Sequence, residues 1–93
     1  MSRALLRSPG FVRDLKKWLK AHPDTVPTIQ AALDQLSVDP AAPSLRTNKL
    51  RGNLAGCWAC SAGYDLRIVF EYTQQDGAEA VLLLTVGTHD EVY

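Results

Sequence analysis

The chain has 93 residues, 46% of them hydrophobic, with ten Lys or Arg balanced by ten Asp or Glu. That length supports one two-layer core and not two, so a single domain over residues 1–93 is expected. A formal net charge of zero argues against holding nucleic acid through one large basic surface. The longest aliphatic run, residues 80–84, is far short of the roughly 20 apolar residues of a membrane helix, which points to a soluble cytoplasmic protein.

Charge is nonetheless unevenly spread. Residues 1–51 hold nine Lys or Arg against four Asp, whereas residues 52–93 hold Arg67 against six acids. A polyanion-binding surface must therefore draw its cations mainly from the first half.

In chain order, residues 3–7 offer a short strand through Leu5 and Leu6. Ser8 and Pro9 start a helix, the hydroxyl capping a free amide and the proline fitting the first turn. Phe11, Val12, Leu15, Trp18 and Leu19 then recur at helical spacing, with Arg13, Lys16, Lys17 and Lys20 on the opposite face. His22 and Pro23 end this helix, His22 being a capping or surface residue. Asp24 or Thr25 caps the next one, Pro27 sits in its first turn, and Val26, Ile29, Leu33 and Leu36 form its apolar stripe. Two helices so closely joined make an antiparallel hairpin that needs a sheet to pack on.

Residues 39–47, with two prolines, read as a connecting loop. Arg46, Lys49 and Arg51 follow within six residues with no acid among them, giving a basic edge at the start of the sheet, either plain solvated surface or an RNA contact. Three strands are expected: residues 54–61, 64–73 and 79–86, with residues 74–77 as a hairpin loop built on Asp76-Gly77. In the middle strand Tyr64, Leu66, Ile68, Phe70 and Tyr72 line one face and Asp65, Arg67, Val69 and Glu71 the other. The last strand is apolar on both parities, as for a central strand, so the first short segment pairs with its free edge. The result is an α+β, two-layer β-α-α-β-β-β fold, a helix hairpin on one face of a small antiparallel sheet with the other face partly open.

Cys57 and Cys60 form a CWAC. Within a strand, three residues span about 10 Å and these side chains point to opposite faces, whereas a disulfide needs Cα atoms within about 7 Å. No helix follows to activate a thiol, and His22 and His89 lack paired zinc spacing. Two small thiols in a reducing compartment are expected, with no metal.

Arg67 faces away from the core and is the only Lys or Arg after Arg51. With His89 and Tyr93 at the end of the last strand it forms a set suited to chemistry at phosphate. Cleaving RNA without a metal takes a base for the 2′ hydroxyl, a charge to stabilise the phosphorane and an acid for the leaving oxygen. Imidazole changes protonation nearest neutral pH, guanidinium binds phosphate bidentately, and a tyrosine stacks on a base or gives a proton.

The blocks NKLRG at 48–52, AGYDLRIVFEY at 62–72 and VGTHDEVY at 86–93, following a helix hairpin, resemble the RelE/ParE-like toxins of bacterial toxin–antitoxin modules, most closely the RelE and YafQ branches. The resemblance implies the same fold and a ribosome-dependent, metal-independent endoribonuclease without cofactor that cuts translated mRNA in the ribosomal A site. It also implies a cognate antitoxin that holds the toxin inactive. Arg67 matches the strand arginine used against the scissile phosphate, and His89 the catalytic histidine of YafQ-like members. Tyr93 matches the C-terminal aromatic, Asp65 an acid that contributes to activity, and Lys49 and Arg51 the basic start of the sheet. Ala59 and Ser61 stand where RelE has lysines, and Asn48 and Ser61 where YafQ has further histidines, so charge falls to His89, Arg67 and Arg51. Two other readings stay open: a member without catalysis that acts as an antitoxin-binding module, and a gyrase-poisoning relative. The open face and basic helix imply an antitoxin segment wrapped on the sheet edge or helices.

Overall fold

The structure, a computed structural model, describes residues 2–63 and 65–92. The expected positions of Tyr64 and Tyr93 lie outside the described residues. The elements are β1 (Ala4–Arg7), α1 (Pro9–Ala21), α2 (Val26–Val38), β2 (Asn48–Lys49), β3 (Trp58–Ser61), β4 (Leu66–Gln75), β5 (Ala78–Thr88) and a short C-terminal turn of helix, α3 (His89–Val92). The strands form one sheet in the order β1-β5-β4-β3-β2, with β1 parallel to β5 and the other pairs antiparallel. The α+β, β-α-α-β-β-β plan stands, with the two-residue β2 and α3 added. As expected, β5 has a neighbour on each side and β1 takes its otherwise free edge.

Helix α1 begins as its sequence dictates. The Ser8 Oγ accepts from the Phe11 amide at 3.1 Å, and Pro9 occupies the first turn. The same hydroxyl donates to the Leu84 carbonyl at 3.1 Å, and the Ser8 amide donates to the Leu83 carbonyl at 3.1 Å, so the helix start is stitched to β5. Arg13, Lys16, Lys17 and Lys20 face solvent. At the helix end His22 is exposed and stacks on Trp18, ring centroids 4.0 Å apart.

Thr25 does not cap α2 with its side chain. Its hydroxyl accepts from Trp18 Nε1 at 3.0 Å and donates to the His22 carbonyl at 2.7 Å, closing the corner between the helices instead. Ile29, Leu33 and Leu36 are buried as the periodicity requires, but Val26, beside that corner, is exposed.

Two strand boundaries differ from expectation. The strand foreseen over residues 54–61 begins only at Trp58: Gly52–Leu54 is a 3-10 turn, the Cys57 amide donates to the Leu54 carbonyl at 2.9 Å, and Gly56 takes a φ of 93°, so the chain cannot be extended there. The hairpin loop is shorter than residues 74–77. Gln74 and Gln75 pair with Glu79 and Ala78, leaving Asp76 (φ 54°) and Gly77 (φ 80°) as a two-residue turn with both angles positive.

Alternation along β4 sends Leu66, Ile68 and Phe70 toward the helices, where they pack with Phe11, Leu33, Leu36, Val81 and Leu83. Val69 points to the opposite face and is also buried, against Ala59 and Leu50, with Leu54, Cys57, Leu84 and Val92 around it. The second face is thus partly roofed by the 50–57 loop and α3. A bulge explains the double apolar parity of β5: Val69 pairs with Thr85 and Phe70 with Leu83, so Leu84 is the extra residue. Beyond it the helix-facing set passes from Val81 and Leu83 to Val86.

Two predictions follow from this packing. Phe11 is fully buried, and Phe11→Ala is expected to lower unfolding free energy by about 3–5 kcal/mol, read by urea denaturation. The Thr85 hydroxyl, which donates to Asp14, is the main cause holding that carboxyl below its ordinary value, with Arg13 adding to it. A depressed folded pKa contributes stability that is present above the unfolded pKa of 3.8 and lost as pH falls through the lower folded value. Thr85→Val should therefore cost about 1 kcal/mol near neutral pH and flatten the loss of stability below pH 3.8; an unchanged acid limb would contradict this.

Candidate active site

Cross-strand register assembles the site. Arg67 sits between Ser61 on β3 and Gly87 on β5, all on the face away from the helices, one step along β4 from the buried Val69. It is half-buried, and its Nη1 donates to the Leu66 carbonyl at 3.1 Å. β3, β4 and β5 contain no other Lys or Arg. Leu66 pairs with Thr88, so the end of β5 lies beside the start of β4. There the His89 amide donates to the Asp65 carbonyl at 3.1 Å.

The structure thus brings Arg67, Asp65 and His89 to one corner of the sheet. The His89 side chain is 53% exposed, with Nδ1 3.6 Å from Asp90 Oδ1 on a fully open neighbour. Asp65 is exposed.

The basic residues before β3 divide. Lys49 pairs with Trp58, which packs toward the helices, and its Nζ lies 5.9 Å from the Trp58 ring centroid, so it stands on the face opposite to Arg67. Arg51 is exposed at the head of the 50–57 loop, whose Leu50 and Leu54 cover the Arg67 face. Arg46 is exposed in a left-handed conformation (φ 51°) that ends the Pro43–Leu45 turn. Ala59 and Ser61, in line with Val69 and Arg67, put no charge on that face.

Three further residues shape the corner. Thr88 caps α3: its amide donates to Glu91 Oε1 at 2.9 Å, and its Oγ1 accepts from the Glu91 amide at 3.3 Å. The Thr88 amide and then its hydroxyl hold the Glu91 carboxyl below its ordinary range. Gly87 lets the turn fold back, because a Cβ there would lie 3.2 Å from Glu91 Cβ and 3.3 Å from Val92 Cγ1. The Thr-x-x-Glu spacing of residues 88–91 is a local signal for this cap, whereas Gly87 has none, since its close approach to Glu91 and Val92 is a contact of the folded turn.

Cys57 and Cys60 are free thiols in clusters on opposite faces of the sheet. Burial pushes Cys60 up to about 12, and raises Cys57 with help from the Glu71 charge. Among the described residues no group of three or more His, Cys, Asp or Glu side chains gathers to hold a metal ion. A groove of about 550 Å³ opens between α1 and the end of β5, lined by Asp14, Lys17, Trp18, Thr85 and Glu91 among others, and contains none of the candidate residues that are described.

No curated protein matches the chain by sequence. Solved structures match closely in shape: YafQ from Escherichia coli, at TM-score 0.79 and 17% identity over 98% of each chain; YafQ in the E. coli DinJ–YafQ toxin–antitoxin complex, at 0.77 and 17% over 100% of this chain and 99% of the other; and a metal-bound toxin from Helicobacter pylori, at 0.77 and 26% over 100% of both. The family profile of the ParE toxin of the type II toxin–antitoxin system parDE matches residues 5–93, so this chain, with the RelE/ParE architecture throughout, belongs to that toxin family.

Proposed function

We propose that this toxin is a ribosome-dependent endoribonuclease that cleaves translated mRNA through its own side chains. The observation that carries this reading is the β4–β5 register, which sets Arg67 opposite Gly87, two residues from His89, on the face the helices leave uncovered. His89 takes the proton of the attacking 2′ hydroxyl. Arg67 stabilises the charge that builds on the phosphorane, its guanidinium matching two phosphate oxygens. The departing 5′ oxygen needs a proton, for which Tyr93 is the candidate donor when it is not stacking on a base. Asp65, anchoring the backbone of His89, supports the corner, and Arg51 and Arg46 offer contacts to flanking phosphates, with Lys49 reaching them from the far face.

The H. pylori toxin is described as metal-bound. Among the described residues of this chain no group of three or more His, Cys, Asp or Glu side chains gathers to hold a metal ion. YafQ is held by the antitoxin DinJ in their complex, and a cognate antitoxin is proposed here as the partner that keeps this corner covered. The uncharged Ala59 and Ser61 beside Arg67 favour one second reading, a toxin-fold module that binds antitoxin without cutting RNA.

Induction of the chain alone in a bacterial host, with 5′ ends mapped on a translated reporter by primer extension, separates the two. Growth arrest with new ends inside codons is expected for the parent, and about a 10²- to 10³-fold loss of cutting in both His89→Ala and Arg67→Ala. Intact message during soluble expression of the parent would favour the binding module.

A further inference from the structure

We infer that Glu91 is a positioning residue that holds His89 in place through the turn it closes; this rests on the endoribonuclease reading for its effect on rate. His89 is the first residue of α3, between the capping Thr88 and the exposed Asp90. Its side chain is half exposed, with Nδ1 3.6 Å from Asp90 Oδ1. Its backbone is held by two ties. One is its own amide on the Asp65 carbonyl at 3.1 Å. The other is the reciprocal pair of bonds between Thr88 and Glu91, at 2.9 and 3.3 Å, which curls the chain around it.

The turn is also seated. Glu91 Cβ and Val92 Cγ1 lie close over Gly87, where a Cβ would sit 3.2–3.3 Å from them and force a small shift, and Val92 packs against the Leu50, Ala59 and Val69 cluster on the Arg67 face. The Glu91 carboxylate, though exposed, accepts from the amide of the residue preceding His89. Without it the Thr88 amide loses its partner, and the backbone that carries the imidazole can shift relative to β4. A displacement of about 1 Å at a reacting group is enough to cost on the order of 100-fold in rate.

The test compares purified parent, Glu91→Ala, Glu91→Gln, His89→Ala and the His89→Ala/Glu91→Ala double variant. Amide hydrogen exchange at Thr88 and His89 reads the turn without reference to activity. Glu91→Ala should speed exchange at Thr88 at least about 10-fold, and Glu91→Gln, which keeps an acceptor oxygen, should restore protection. In cleavage of translated message, Glu91→Ala should lower kcat about 10- to 100-fold with KM within about 3-fold, Glu91→Gln should recover most of it, and adding Glu91→Ala to His89→Ala should cost nothing more. Unchanged exchange in Glu91→Ala, no rescue by Gln, or losses that multiply in the double variant would overturn the inference. If exchange responds as expected but His89→Ala cuts as fast as the parent, the endoribonuclease role of His89 has failed instead, and with it the effect on rate.

Discussion

The pairing of β4 with β5 is the constraint on which the rest of the molecule depends. Alternation along β4 buries Leu66, Ile68 and Phe70 under the helices and, by the same geometry, turns Arg67 to the other face. Core and candidate site are therefore specified together. A slip of one residue would bury the guanidinium among leucines and expose Phe70, so hydrophobic burial itself fixes where the arginine stands. The bulge opposite Val69 adds a second adjustment: it lets β5 serve the helix core along its first half and still deliver Gly87 opposite Arg67.

Helix α1 and the terminal turn α3 hold this hairpin from opposite sides. Ser8 bonds the carbonyls of Leu83 and Leu84, and Asp14 receives the Thr85 hydroxyl, so the irregular part of β5 is clamped to α1 where its strand partner β1 has ended. On the other face, Val92 and Leu54 cap a small cluster around Val69. That second cluster makes the Arg67 face a partly roofed corner rather than an open sheet. Partial roofing suits the proposed phosphoryl chemistry, since charges near a low-dielectric floor act more strongly than in water.

Much of the fold was legible in the sequence because its signals are local and periodic. The Ser8-Pro9 start, the spacing of Phe11, Leu15, Trp18 and Leu19, the Asp76-Gly77 turn and the alternation of residues 66–70 each follow from short-range stereochemistry. What failed depended on contacts far along the chain. Thr25 has the chemistry of a helix cap, but Trp18 and the His22 carbonyl compete for its hydroxyl. The 54–57 segment has strand-like residues, yet Gly56 and the Leu54–Cys57 bond turn it. At the site, the outward direction of Arg67 was readable from parity, but the nearness of His89 was not, because the β4–β5 register depends on a shorter turn than residues 74–77 and on the extra Leu84 of the bulge. Lys49 was not assignable to a face, because the two-residue β2 that orients it has no pattern to read. The capping pair Thr88 and Glu91 was present as a motif, but its value lies in what it positions, which only the folded chain displays.

The central claim is that Arg67 and His89 act at one phosphate. Its most direct test is cleavage by the purified chain of a message held on ribosomes with a defined codon in the A site, compared with the two alanine variants and their combination. The account predicts a single cut within that codon, a large loss in each single variant, and a double variant little worse than either, because the two side chains serve the same transition state. Cutting that is indifferent to Arg67 and His89, or that proceeds as well on free RNA as on the ribosome-held message, would contradict it.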